Sequence, residues 1–230
     1  MTVYSISDLH MSCGDKPMDV FGANWENHVE RICDDWRSKV TEEDLVLLPG
    51  DFSWAMHLRE AVPHLALIAS LPGRKVLLRG NHDFWWSAIG RVREALPEGM
   101  YALQNDALVF GECVLAGTRG WLLPGEDTDA GDRKIFDREM IRLRLSLEEA
   151  RRVMPEGRLI VMLHFPPATL LQPETPFTEL MSEFRPEVVI YGHLHGQAAK
   201  NALIGRYNGI EYRLVSCDAL DFRFAKIIEG

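Results

Sequence analysis

The sequence predicts an α/β domain built on mixed β-structure, and three observations predict it. Short apolar, β-rich runs alternate with longer stretches of helical period in the N-terminal part of the chain, the pattern of strands joined by helical crossovers. Two β-like runs then follow one another directly, Ala107-Leu108-Val109-Phe110 and Cys113-Val114-Leu115-Ala116-Gly117. Gly111-Glu112 between them reads as a hairpin turn, so part of the β-structure is antiparallel. Finally, 230 residues, 47% of them hydrophobic, suffice for one domain spanning 1–230 with a substantial core.

Thr2-Val3-Tyr4-Ser5-Ile6 reads as the first strand and ends in Ser7-Asp8-Leu9-His10. Extended chain alternates its side chains, so Asp8 and His10 are expected on one face. Residues 14–23 hold Gly14, Pro17 and Gly22 and read as a loop. Asn24 is the expected cap of a helix running to about Val40, with Trp25, Val29, Ile32 and Trp36 at helical spacing and His28 a surface or packing residue. Asp44-Leu45-Val46-Leu47-Leu48 is unbroken enough to be buried on both faces, and it ends in Pro49-Gly50-Asp51. A helix over about 57–70 is stopped by Leu71-Pro72-Gly73; His57 and His64 read as structural or solvated.

The third strand, 75–79, leads into Arg79-Gly80-Asn81-His82-Asp83. A carbonyl, an imidazole and a carboxylate in a row are seldom spent on a strand-end loop for packing alone. Asp83 is the cap of a helix over about 84–96, or the partner of His82, or both. Trp85 and Trp86 either line a pocket or pack beneath the loop.

Residues 118–132, with Arg119 and Trp121, form a long polar stretch that is either a substrate rim or an ordinary surface loop. A helix over about 133–153 carries Ile135, Phe136, Met140, Leu143, Leu147 and Ala150 on one side. Arg158 through Leu163 is another buried strand, and it ends in His164-Phe165-Pro166-Pro167. After a Pro-rich loop and a short helix to about Phe184, Glu187 through Tyr191 is the next strand. It ends in Gly192-His193-Leu194-His195-Gly196, and alternation again puts His193 and His195 on one face. β-like runs over 201–207 and 210–216 flank Asn208-Gly209, a hairpin signal. No role follows for Asp218, Asp221 or Arg223.

The net charge of −9 disfavours generic nucleic-acid binding, which relies on Lys and Arg. Cys13, Cys33, Cys113 and Cys217 are widely spaced without a CxxC pair and read as reduced thiols, so a cytosolic location is expected. No basic start with an apolar run marks a secretory leader, and no apolar run is long enough to span a membrane.

The strand ends converge chemically. His10, His82, His164, His193 and His195, five of the eight histidines, lie in these loops. With Asp8, Asp51 and Asn81 they leave seven potential metal ligands besides His82. One metal does not need seven; two metals sharing a carboxylate do. Such pairs, about 3.5–4 Å apart, clamp an in-line displacement at phosphorus.

Asp8-Leu9-His10, Gly50-Asp51, Gly80-Asn81-His82-Asp83, His164 and Gly192-His193-Leu194-His195 resemble, in order, the five blocks of the calcineurin-like metallophosphoesterase superfamily. The resemblance implies a four-layer sandwich of two mixed β-sheets flanked by helices. It implies one metal on Asp8, His10, Asp51 and His195 and a second on Asp51, Asn81, His164 and His193, with Asp51 bridging. Histidine-rich ligation favours manganese, iron or zinc over magnesium. A metal-bridging hydroxide would attack phosphorus, with His82 as general acid and Asp83 orienting its ring. Gly50-Asp51 continues as Phe52-Ser53-Trp54 and lacks the Asp-Arg-Gly of the protein Ser/Thr phosphatase branch. Arg119 is the stand-in for that branch's phosphate-gripping arginine. A small phosphorylated substrate is expected, a monoester or a diester, chosen by Trp54, Trp85, Arg119, Trp121 and Phe165. The alternative is a scaffold of the same fold without catalysis.

Overall fold

The computed structural model describes residues 1–12 and 18–230. The first part of the loop expected over 14–23 falls outside them, as does Cys13. In chain order the elements are β1 (Val3–Ser5), α1 (His28–Lys39), β2 (Leu45–Pro49), α2 (Leu58–Ala69), β3 (Arg74–Leu78) and α3 (Ile89–Ala95). Then come β4 (Met100–Leu103), β5 (Ala107–Phe110), β6 (Cys113–Thr118), α4 (Ala130–Val153), β7 (Arg158–Leu163) and α5 (Pro176–Phe184). The chain closes with β8 (Val188–Tyr191), β9 (Gly205–Tyr207), β10 (Ile210–Leu214) and β11 (Ala225–Ile228).

The strands form two mixed sheets, ordered β11-β1-β2-β3-β4 and β5-β6-β7-β8-β10-β9. β1 to β4 run parallel and β11 antiparallel to β1. In the second sheet β6, β7, β8 and β10 run parallel, with β5 and β9 antiparallel at the edges. The residue alternation in β2 shows why two sheets stack. Leu45 and Leu47 meet Ile160, Met162 and Ile190 of the other sheet in a shared middle core. Val46 and Leu48 turn outward onto Ile32, Trp36, Leu65 and Ile68 of α1 and α2. On the far side Leu143, Leu147 and Ala150 of α4 cover Val114, Val161 and Val189. The order helix, sheet, sheet, helix is the sandwich expected from the resemblance.

Several boundaries differ from expectation. α1 starts at His28 rather than at Asn24, which lies in a 3-10 turn over Ala23–Trp25; Asn27 then turns the chain with a φ of 53°. α3 starts at Ile89 rather than 84, because the carboxylate of Asp83 is engaged elsewhere and caps nothing here. α4 begins earlier than expected, capped by Asp129, whose Oδ1 accepts from the Gly131 and Asp132 amides at 2.7 and 3.1 Å. β9 is shorter than expected: a 3-10 turn ends at Asn201 and Ala202 makes an isolated bridge to Thr169 before the strand starts at Gly205. β4 and β11, the two edge strands of the first sheet, were not expected. The Asn208-Gly209 hairpin is present, with φ of 48° and 81° joining β9 to β10. No helix among the described residues is long and apolar enough to cross a membrane.

The topology brings the carboxyl ends of β1, β2 and β3 of one sheet onto the same rim as those of β7 and β8 of the other. The Asp8 amide donates to Gly50 O at 3.0 Å, the His193 amide to Asp8 Oδ2 at 3.1 Å, and His164 Nδ1 lies 3.0 Å from Pro49 O.

Candidate metal centre

The loop after β1 runs beside the loop after β2, with the His10 amide donating to Asp51 O at 3.0 Å. Neither loop is extended. Asp8, His10 and Asp51 have φ of 60°, 45° and 52°, and His193 has 70°. The alternation argument therefore fails at both Asp8/His10 and His193/His195: these side chains converge because the backbone turns left-handed beneath them. Each such residue costs about 1–3 kcal/mol, which the surrounding packing must offset. Strain of this kind concentrates at functional sites. A Cβ on Gly80 would lie 2.0 Å from Asp51 Oδ1, and one on Gly192 would lie 2.3 Å from Asp8 Oδ2. Only glycine lets these loops close on the carboxylates.

All seven expected ligands meet in this space. His195 Nε2 lies 3.4 Å from Asp8 Oδ1. Asp51 Oδ2 lies 3.9 Å from His10 Nε2 and 3.4 Å from His164 Nε2. Asn81 Oδ1 lies 2.7 Å from His164 Nε2 and 3.0 Å from His193 Nδ1. Two sets, Asp8/His10/His195 and Asp8/Asp51/His164, each gather their ligand atoms within 4.8 Å of one another.

The donor chemistry fits a cation. His164 Nδ1 faces the carbonyl of Pro49, which can only accept, so that nitrogen carries the hydrogen. Its Nε2 then points a lone pair, or an extra proton, at the oxygens of Asn81 and Asp51. His195 repeats the pattern: its Nδ1 donates to Asp218 Oδ1 at 2.8 Å, leaving Nε2 toward Asp8. Positive charge belongs between these atoms. Burial pushes His164 down, but Asp51 and Asp8 outweigh it and raise it to about 9. Burial likewise opposes His195, yet Asp218 and Asp8 raise it to about 10. Burial pushes His10 and His193 down to about 4, leaving neutral rings with lone pairs free to ligate. His10 Nδ1 is buried with no hydrogen-bond partner among the described residues. Burial raises Asp8 and Asp51, but nearby histidines win and hold both below the ordinary carboxylate range.

Two supporting groups were not legible. Asp218, for which the sequence suggested no role, fixes the His195 ring and accepts from the Gly196 amide at 3.0 Å. A carboxylate behind a ligating histidine sets its tautomer and raises its basicity. His28 Nε2 lies 2.9 Å from Leu9 O, bracing the strained Asp8–His10 loop from α1. Its position within a helix gave no such signal.

Asp83 departs from both of its expected roles. Its oxygens accept from the amides of Gly80, Asp51, Phe52 and Ser53 and from the Trp85 indole, at 2.8 to 3.2 Å, and the His82 ring is not among these donors. It ties the loop after β2 to the loop after β3. Burial, aided by the Asp51 charge and opposed by those donors, raises it to about 6.

His82 is half-buried, with its ring centroid 4.6 Å from that of Trp54 and 5.8 Å from that of His10. Its amide donates to Asp51 Oδ1 at 2.8 Å. It opens onto a cavity of about 530 Å³ with His10, Asp51, His193 and His195 on its floor. Met18, Phe21, Trp25 and Trp54 form an apolar wall. Of the five residues expected to choose substrate, only Trp54 lines this cavity. Trp85 is buried and bonded to Asp83, and its neighbour Trp86 is buried with its indole on Gln104. Phe165 packs under His193 with ring centroids 4.2 Å apart. Arg119 borders a different cavity, and Trp121 stacks beneath it. The wall from Met18 to Trp25 was missed, although Phe21 and Trp25 in a turn-rich stretch just after Asp8–His10 were a usable hint.

Comparison with known proteins bears on the family and the fold. The family model described as calcineurin-like phosphoesterase matches residues 1–197. No curated protein matches the sequence significantly. Among solved structures, a protein of unknown function from Aquifex aeolicus is similar at a TM-score of 0.52 and 16% identity, over 97% of this chain and 94% of that one. Phosphopantetheinyl hydrolase from Mycobacterium tuberculosis is similar at a TM-score of 0.55 and 14% identity, over 100% of this chain and 96% of that one.

Proposed function

Because the chain belongs to the calcineurin-like phosphoesterase family, whose members are metal-dependent, we propose that it hydrolyses a small phosphorylated substrate with two metal ions. Asp8, His10, Asp51 and His195 would hold one ion and Asp51, Asn81, His164 and His193 the other, manganese, iron or zinc by their histidine content. The observation that carries the reading is the position of Asp51: one oxygen faces His10 and His164, one histidine from each expected ligand set, at 3.9 and 3.4 Å. When bound, the metal pair would supply an activated water and offset charge on the phosphoryl group.

The chain's own residues do the rest. His82, at the cavity edge and tethered to Asp51 through its amide, hands a proton to the leaving oxygen. Trp54 and Trp25 hold the organic part of the ester against an apolar wall and keep water from that side. Asp83 keeps the loops of Asp51 and Asn81 in register and does not touch the proton. A scaffold without catalysis would tolerate loss of ligands, yet every residue of the expected set is present in the sequence.

The test is metal analysis of freshly purified protein, followed by a panel of phosphomonoesters and phosphodiesters that includes a phosphopantetheinyl ester. One to two transition metals per chain and turnover that a chelator removes are expected. A metal-bearing protein inert toward the whole panel would return the scaffold reading.

A further inference from the structure

A second cavity lies on the same rim, about 260 Å³ in volume, at the carboxyl ends of β3, β4 and β6 and against α4. It shares no lining residue with the cavity of the candidate centre. Its walls hold four arginines, Arg79, Arg119, Arg138 and Arg142, and one carboxylate, Glu139. In a chain of net charge −9 this is a local inversion of sign.

The charges do not cancel. Glu139 is 1% exposed, accepts from Thr118 Oγ1, and pairs with Arg142 Nη1 at 2.6 Å. That pair accounts for one arginine. Among the described residues, the guanidinium groups of Arg79, Arg119 and Arg138 make no hydrogen bond or ion pair with the protein. Arg79 Nε is buried without a partner, a cost of about 1–3 kcal/mol that an acceptor would relieve. The Arg119 guanidinium carbon lies over the Trp121 ring, 4.4 Å from its centroid, and the Trp121 indole is held by Asp132 at 3.0 Å. A guanidinium held over an aromatic ring loses less freedom on gripping a phosphate. Burial lowers the proton affinity of Arg119; Glu139 opposes this, and the fields of Arg79, Arg138 and Arg142 add to it. An entering anion would relax that repulsion.

We propose that this arginine-lined cavity binds a phosphate-bearing anion at a site separate from the metal centre. The two sites are linked by backbone. Arg79 precedes Asn81 by two residues, and the Arg119 carbonyl accepts from the amides of His164 and Phe165 at 3.0 and 2.9 Å. The anion is either a second phosphate of the substrate, an arm that rests on the phosphoesterase reading, or a free phosphate-type effector.

Calorimetric titration of the full chain with inorganic pyrophosphate tests it. Asp51→Asn, which removes the shared carboxylate of the candidate centre, should still bind one pyrophosphate, with affinity falling as salt rises. Adding Arg119→Gln and Arg138→Gln to Asp51→Asn should weaken that binding by about a hundredfold. Arg138 is exposed, so Arg138→Gln alone, with an expected loss of about tenfold, keeps the test alive if the triple variant does not fold. Unchanged pyrophosphate affinity in the folded arginine variants would overturn the site. If the wild-type chain carries no metal and turns over no ester yet binds pyrophosphate through these arginines, the anion site stands and the phosphoesterase reading falls. A preference for bisphosphorylated over monophosphorylated esters that vanishes in Arg119→Gln identifies the substrate's second phosphate. A change in kcat for an aryl monophosphate on adding sulfate, absent in Arg119→Gln, identifies an effector.

Discussion

The two sheets bring unlike chemistry to one rim. The loops after β1, β2 and β3 carry all the candidate oxygen ligands, Asp8, Asp51 and Asn81, together with His10. The loops after β7 and β8 carry only histidines, His164, His193 and His195. The two halves also hold their groups differently. The first uses left-handed backbone at Asp8, His10 and Asp51 and a buried carboxylate, Asp83, that gathers amides of two loops. Among its candidate ligands the second has left-handed backbone only at His193 and relies on oxygens behind the other rings: Pro49 O behind His164 and Asp218 behind His195. Since Pro49 belongs to the first sheet, the orientation of a second-sheet histidine depends on the packing between sheets. Neither half is a site alone.

Changes in the first half should be the more severe. Asp51→Ala removes the oxygen that faces one histidine of each expected set and should abolish metal loading and activity together, read by metal analysis and aryl phosphate hydrolysis. Full activity in this variant would sink the metal reading. Gly80→Ala forces a methyl to 2.0 Å from Asp51 Oδ1. It should cost about 1–3 kcal/mol of stability, seen in the unfolding midpoint, and strip metal as well.

His82→Ala separates catalysis from assembly. Metal content should hold while kcat falls by about 10²–10⁴ for an alkyl phosphate, and by much less for an ester whose leaving group needs no proton. Equal losses on both esters would remove His82 from the proton-donor role.

The mildest change tests the second half. Asp218→Asn keeps the shape behind His195 but not the charge, and should weaken metal binding by about 10–100-fold with the fold intact. A loss as complete as that of Asp51→Ala would erase the contrast between the halves.

Much of the fold was legible because buried parallel strands write continuous apolar runs and helices write their period. β2, β3, β7 and β8 fall close to where their apolar runs lie, and α4 is marked by Phe136, Leu143, Leu147 and Ala150 on its buried side. β4 and β11 were not read: both are edge strands of the first sheet, and their pairing is set by neighbours far away in sequence. The start of α3 was misread because Asp83 looks like a cap to its local sequence, whereas its acceptors are claimed by amides of the β2 loop.

By itself the sequence determined which residue types end each strand, and so the chemistry the rim can offer: carboxylates and an amide early in the chain, histidines late. Those identities and their order are local facts, readable one motif at a time. The tertiary structure decided everything that depends on distance across the chain. It set the left-handed turns that aim Asp8, His10, Asp51 and His193, and it recruited Asp218 and His28 as braces. It also sent Arg119 to a second, basic cavity while walling the first with Met18, Phe21 and Trp25. Backbone strain and a neighbour's charge are properties of packed surfaces, and a linear pattern carries no record of them until the two sheets meet.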